Sequence, residues 1–199
     1  YIEWFSDAYG IDIREQTTEE IWVLTGKALA VYMRNVISRN APFDRWNEGE
    51  DDAIDAQALR GVELFVGKAA CVGCHGGPLF SDFEYHNLSR NDYVDGILVD
   101  PGRARITGEE ADQGKYLTPM LRSVTLGSPY FHDGQTGGLK DAVRYHVSAA
   151  AREDPNHDPI LDFLPELTED ELDDIVAFLK TLRGEPIPPE YLTVSPALP

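Results

Sequence analysis

The run Cys71-Val72-Gly73-Cys74-His75 restricts what this chain can fold around more than any other feature of it. Two thiols at that spacing can each form a thioether to a vinyl group of haem, and the adjacent imidazole then lies under the porphyrin as an iron ligand. Three other readings compete: a thioredoxin-like redox pair, half of a zinc site and a structural disulfide. Cys71 and Cys74 are the only cysteines in 199 residues, so a four-ligand zinc site has no second pair to complete it. A thioredoxin-type pair opens a helix inside a βαβ pattern, and the stretch from Ala58 to Phe80 shows no such alternation. The spacing therefore predicts one covalently held haem c.

At 199 residues and 42% hydrophobic content, the chain can bury one good-sized core or two small ones. No run of eighteen apolar residues occurs, so no membrane span is expected. The net charge of −18 makes nucleic acid an unsuitable partner. Such acidity either steers basic proteins, such as a small basic cytochrome or cupredoxin acting as electron donor, or keeps an exported protein dispersed. Haem c attachment takes place outside the cytoplasmic membrane, so the expected location is periplasmic or otherwise exported, with a leader removed. The opening Tyr1-Ile2-Glu3-Trp4-Phe5 reads as mid-domain sequence, which suggests one part of a longer chain.

Helical signals bracket the motif. Thr17 and Glu20 have the form of a capping box, and Ile21, Leu24, Ala28, Val31 and Tyr32 follow at helical spacing, predicting a helix to about Ser38. Pro42 and Gly49 break the pattern and predict a loop anchored by Phe43 and Trp46. A second helix is expected from about Asp51 to Val66, with Ile54, Ala58, Val62 and Phe65 on one face. From Gly76 to about Leu117 the composition predicts loop with one short hairpin, and Leu139 to roughly Ala151 a helix. Thr168 and Glu171 form a second capping box before the stripe Leu172, Ile175, Val176, Leu179 and Leu182. Gly184 and Pro186 end that helix, and the Pro-rich tail to Pro199 is expected to lie extended. The fold class is thus mostly α, a cytochrome c-like domain with long loops over 50–185. A connector helix and loop from a neighbouring domain precede it over 1–49, and the tail follows over 186–199.

Iron bound by His75 keeps one axial position, and its occupant separates electron transfer from ligand chemistry. The candidates are His86, His132, His146, His157 and Met120. His157 lies in an acidic, turn-like segment that predicts solvent exposure, His86 suits a loop contact, and Met120 follows Pro119 in an extended run.

Several segments carry a resemblance. Thr118-Pro119-Met120-Leu121-Arg122-Ser123-Val124, Pro129-Tyr130-Phe131-His132-Asp133-Gly134, Leu139-Lys140-Asp141-Ala142-Val143, Asp100-Pro101-Gly102-Arg103 and Phe43-Asp44-Arg45-Trp46 resemble bacterial di-haem cytochrome c peroxidases. That family includes the enzyme that matures methylamine dehydrogenase. The likeness runs from about Thr17 to Gly184. In the family, the sixth ligand of the C-terminal haem stands seven residues after the helix Leu matched by Leu139, which here is His146. Peroxidases carry Met there and the maturation enzyme Tyr, so the resemblance implies a bis-histidine iron, His75 and His146, with Met120 as the alternative. A second imidazole in place of a thioether favours ferric iron and implies a lower potential. Arg122 matches the arginine that lies against the haem propionates, and a guanidinium fork suits carboxylates. His132, before the tight turn of Asp133-Gly134, is implied to be a structural hydrogen-bonding residue. Gly127 and Pro129 match positions whose carbonyls bind calcium between the two family domains.

The family has two haem domains, of which the N-terminal one reacts with peroxide and the C-terminal one passes electrons to it. The resemblance implies that this chain is the electron-transferring half of such an oxidoreductase, with the second haem on another domain or chain. The rival is a self-contained mono-haem cytochrome c that only carries electrons.

Overall fold

A computed structural model describes residues 1–36, 38–90, 93–94 and 97–192. By internal contacts the chain forms two compact units, Tyr1–Ile37 with Pro186–Pro199, and Ser38–Glu185.

In the first unit, α1 (Ile2–Tyr9) ends at Gly10, which turns left-handed at φ 68°. The expected capping box is formed: the Thr17 hydroxyl accepts from the Glu20 N–H, and the Glu20 carboxylate accepts from the Thr17 N–H at 2.8 Å. It starts α2 (Thr18–Met33). This helix stops short of Ser38 because Asn35 and Val36 donate to the carbonyls of Tyr32 and Met33, tight i→i−3 turns that finish it. The Tyr9 hydroxyl donates to the Leu24 carbonyl at 2.7 Å, joining α1 to α2. No residue of α2 is buried, so its apolar stripe is less covered than the periodicity suggests.

The second unit opens with a correction. Residues 42–47 are helical (α3, Pro42–Asn47) in place of the expected loop, because Pro42 sits in the first turn and the Asp44 carboxylate accepts from the Ala41 N–H at 3.0 Å. The next helix, α4 (Ala56–Val66), begins after Asp55 rather than at Asp51, since Asp55 caps it by accepting from the Ala58 N–H at 2.8 Å. Cys71–Gly73 form a 3-10 turn. Beyond it lie β1 (Tyr85–His86), a hairpin of β2 (Tyr93–Val94) and β3 (Ile97–Leu98), the single turn α5 (Ala104–Thr107), and β4 (Tyr116–Leu117), antiparallel to β1. This stretch thus holds one more strand pair than the single hairpin expected. Helix α6 (Leu139–Val147) ends before Ala151 and passes into a 3-10 turn at Ala149–Arg152. Helix α7 (Glu169–Thr181) starts at the Thr168–Glu171 capping box, as the sequence suggests.

The core lies between α4 and α7, where Phe65, Ala69, Phe80, Ile175, Phe178, Leu179 and Leu182 are buried together. Four aromatic rings, Phe43, Phe65, Phe80 and Phe178, meet edge to face with centroids 5.0 to 6.2 Å apart. Phe43 comes from α3, and residues 38–49 pack within the second unit. Hydrogen bonds agree with this: the Ser38 hydroxyl bonds that of Ser123 at 2.7 Å and accepts from the Gly184 N–H at 2.9 Å. The tail is not simply extended, for Pro189–Tyr191 make a 3-10 turn; residues 193–199 lie outside the described residues. Mostly α describes the result, and no described helix is long and apolar enough to cross a membrane.

Candidate haem site

The end of α4 delivers the motif. Gly67 caps the helix, Ala70 turns left-handed at φ 48°, and the His75 N–H bonds back to the Cys71 carbonyl at 2.8 Å. This turn presents Cys71, Cys74 and His75 together. Burial pushes the Cys71 thiol up to about 12, which disfavours a metal-binding thiolate there and suits a neutral thioether.

The chain after His75 folds straight back. Ser81 N–H donates to Gly76 O at 3.0 Å and Asp82 N–H to Cys74 O at 2.8 Å, so Phe80, held in the core by its ring, points its carbonyl at His75. His75 Nδ1 lies 3.0 Å from that oxygen. A carbonyl only accepts, so Nδ1 carries the proton and Nε2 offers its lone pair.

Helix α6 brings His146 to the same place. Its Nδ1 is 2.7 Å from Ala142 O, one turn back, which again leaves Nε2 as the free donor atom. The two imidazole centroids are 6.3 Å apart with planes at 66°. Imidazole nitrogens bond transition metals at about 2 Å and the ring centre lies about 1 Å behind, so two axial imidazoles on one metal stand roughly 6 Å apart. The pair fits that requirement. Burial, then the imidazole of His146, pull His75 down to about 4, and burial also lowers His146, so both rings are neutral donors at ordinary pH. A ligating histidine that donates its other nitrogen to a carbonyl is the usual arrangement that fixes tautomer and ring orientation.

The other candidates are engaged elsewhere. His86 sits between two carboxylates, with Nε2 3.0 Å from Asp82 and Nδ1 against Asp158. The Cys74 thiol, Asp158 and Asp82 raise its pKa to about 10. Cys74, Asp82 and His86 place one donor atom each within 4.8 Å, close enough to share a metal, but both His86 nitrogens are already committed to carboxylates. His132 stacks on Tyr116, centroids 3.5 Å apart. His157 is not solvent-exposed as its segment suggests: it is half-buried, bonded to Asp154 O at 2.7 Å and Asp162 at 2.9 Å. Met120 is 48% exposed.

Arg122 makes contacts the sequence does not suggest. Its Nε donates to Pro78 O at 2.7 Å, and Nη1 and Nη2 donate to the Asp44 carboxylate at 3.0 and 2.9 Å. One N–H on each terminal nitrogen is left over by these bonds, enough for a further carboxylate. Asp44, Phe80, Phe131 and Arg90 also belong to this site. Sequence reasoning missed them because Asp44, Phe131 and Arg90 act through partners distant in the chain, and Phe80 acts through its backbone carbonyl, which no side-chain pattern reveals.

No protein-family model matches the chain. Individual relatives do. It is 37% identical over 166 residues to the methylamine utilization protein MauG of Methylorubrum extorquens, an alignment covering 80% of this chain and 44% of that protein. It is 34% identical over 185 residues to the cytochrome c551 peroxidase of Nitrosomonas europaea, covering 93% of this chain and 50% of that one. Among solved structures, a MauG-like protein associated with microbial copper homeostasis superimposes with a TM-score of 0.65 at 28% identity, over 79% of this chain and 54% of the other. The chain thus spans about half the length of the curated relatives it matches, and over that span it belongs to the di-haem cytochrome c peroxidase family, with MauG among its members.

Proposed function

We propose that this chain holds one haem c through Cys71 and Cys74, with His75 and His146 as its axial ligands, and serves as the electron-transferring half of a peroxidase-like oxidoreductase. The observation that carries the reading is the facing pair of imidazoles, 6.3 Å apart, each with Nδ1 tied to a backbone carbonyl. The haem supplies a one-electron change at its iron. The carbonyls of Phe80 and Ala142 would hold the two Nδ1 protons and leave both Nε2 lone pairs free for that iron. Two protein ligands fill the axial positions, so peroxide would react at a second haem in sequence corresponding to the relatives' other half. The acidic surface suits a basic electron-donor protein, and the location that fits is periplasmic or otherwise exported.

The first test is His146→Ala in the haem-loaded protein. Its visible and EPR spectra should change from low-spin to high-spin, and the iron should bind cyanide readily. An unchanged low-spin spectrum would remove His146 from the iron. The number of haems in the native assembly separates the electron-transferring half from a self-contained carrier: two or more support the former, one the latter.

A further inference from the structure

We infer that Arg90 is a positioning residue that governs how readily the sixth ligand leaves the iron, acting through Phe131; this rests on the assignment of His146 as that ligand. The Phe131 ring stacks on His146, with centroids 5.5 Å apart and planes 29° from parallel. Its backbone adopts φ 65°, a left-handed conformation that a bulky residue keeps only when its surroundings hold it there.

The surroundings are specific. Phe131 meets Tyr145 edge to face at 5.3 Å and 66°, and the Arg90 guanidinium lies in the corner between them, 4.5 Å from the Phe131 centroid and 4.8 Å from that of Tyr145. Asp133 fixes the guanidinium in turn, one oxygen accepting from Nε at 2.9 Å and from Nη2. Both side chains are largely withdrawn from water, 15% and 17% exposed. The other Asp133 oxygen accepts from the Gln135 N–H at 2.9 Å, which locks the carboxylate to the turn that follows Phe131. The Tyr145 hydroxyl donates to Ser89 O at 3.1 Å, tying the second ring to the residue before Arg90.

Two segments distant in sequence, 89–90 and 131–135, therefore converge on the helix that carries His146, with the Phe131 ring against its imidazole. The bond from His146 Nδ1 to Ala142 O decides which nitrogen faces the metal, while stacking against Phe131 restrains rotation of the ring. Cation–π attraction is strongest where water is excluded, as it is here, so Arg90 stiffens the Phe131 side of the contact. Asp133 pairs with its charge, and what the unit gives His146 through Phe131 is position. Loosening it frees His146 to swing away and lets an outside ligand reach the sixth position.

The test compares haem-loaded wild type with Arg90→Gln, Arg90→Lys, Phe131→Leu and His146→Ala by spin state and by the rate of cyanide binding to the ferric protein. Arg90→Gln and Phe131→Leu should remain mainly low-spin yet bind cyanide about tenfold faster, and Arg90→Lys, which keeps a cation over the rings but loses the fork to Asp133, should fall between. His146→Ala should be high-spin and fast. Wild-type cyanide rates in Arg90→Gln and Phe131→Leu, beside a high-spin His146→Ala, would overturn the inference and leave the ligand assignment standing. A low-spin His146→Ala with wild-type kinetics would overturn the ligand assignment itself. Should Arg90→Gln not fold, Arg90→Lys and Phe131→Leu decide the matter in the same way.

Discussion

Arg122 shows how one side chain can organise the loop that follows the Cys71–His75 motif without touching His75. Its Nε holds Pro78 O and its fork holds Asp44, while Phe80, two residues on from Pro78, presents the carbonyl that orients His75. Burial alone would raise the Asp44 carboxyl, but Arg122 and the Ala41 N–H outweigh it and keep it below its ordinary value. A depressed folded value means the pair's contribution is present above the unfolded carboxylate value near 4 and is lost as pH falls through the folded one. Asp44→Asn should therefore lower stability at neutral pH by about 1.5–3 kcal/mol. Arg122→Gln should cost about as much, and the double variant little more than either alone. Denaturant titration of the four proteins measures this, and fully additive losses would show that the two residues act separately.

At the scale of elements, the junction of α4 with α7 sets the platform from which the haem motif emerges. Gly61 makes the close approach possible: a Cβ there would lie 2.0 Å from Asp174 O and 2.7 Å from Phe178 Cβ. Neither atom can swing aside, since one is backbone and the other starts a buried side chain. Arg60 bridges the same junction, its Nε and Nη2 donating to the two Asp174 oxygens at 2.8 and 2.9 Å. At Gly26 in α2, by contrast, a Cβ would meet nothing within 4 Å. The same substitution should then act with opposite sign at the two positions. Gly61→Ala should destabilise by about 3 kcal/mol despite its better helix propensity, whereas Gly26→Ala should stabilise by up to about 1 kcal/mol. Thermal unfolding of both variants checks this, and equal shifts would contradict the close packing at Gly61.

Over the whole molecule, charge is the dominant long-range property. A net −18 on 199 residues produces a field that favours basic partners in the encounter step and weakens as salt shortens its reach. Reduction of the haem-loaded protein by a small basic cytochrome should slow by about tenfold or more between low and physiological ionic strength, while an acidic donor should be slow throughout. Stopped-flow rates across a salt series measure this, and a salt-independent rate with the basic donor would mean that acidity has no part in docking.

Sequence alone was enough for the features governed by neighbours in the chain. The Cys71–His75 motif, both capping boxes and the apolar stripe of α7 each depend on residues within a few positions of one another, so periodicity and side-chain type reveal them. His146 was reached through the resemblance at Leu139, not through its own surroundings. Tertiary structure decided the rest: that Phe43 belongs to the core, that α4 starts at Asp55's cap, that Arg122 holds Asp44, that His86 is clasped by Asp82 and Asp158, and that Arg90 and Phe131 meet on His146. Each of these, apart from the cap of α4 and the Asp82 side of His86, joins partners that only chain folding brings together. A local pattern cannot encode which distant carboxylate or ring a side chain will find, because that choice is made by packing and by the removal of water around it.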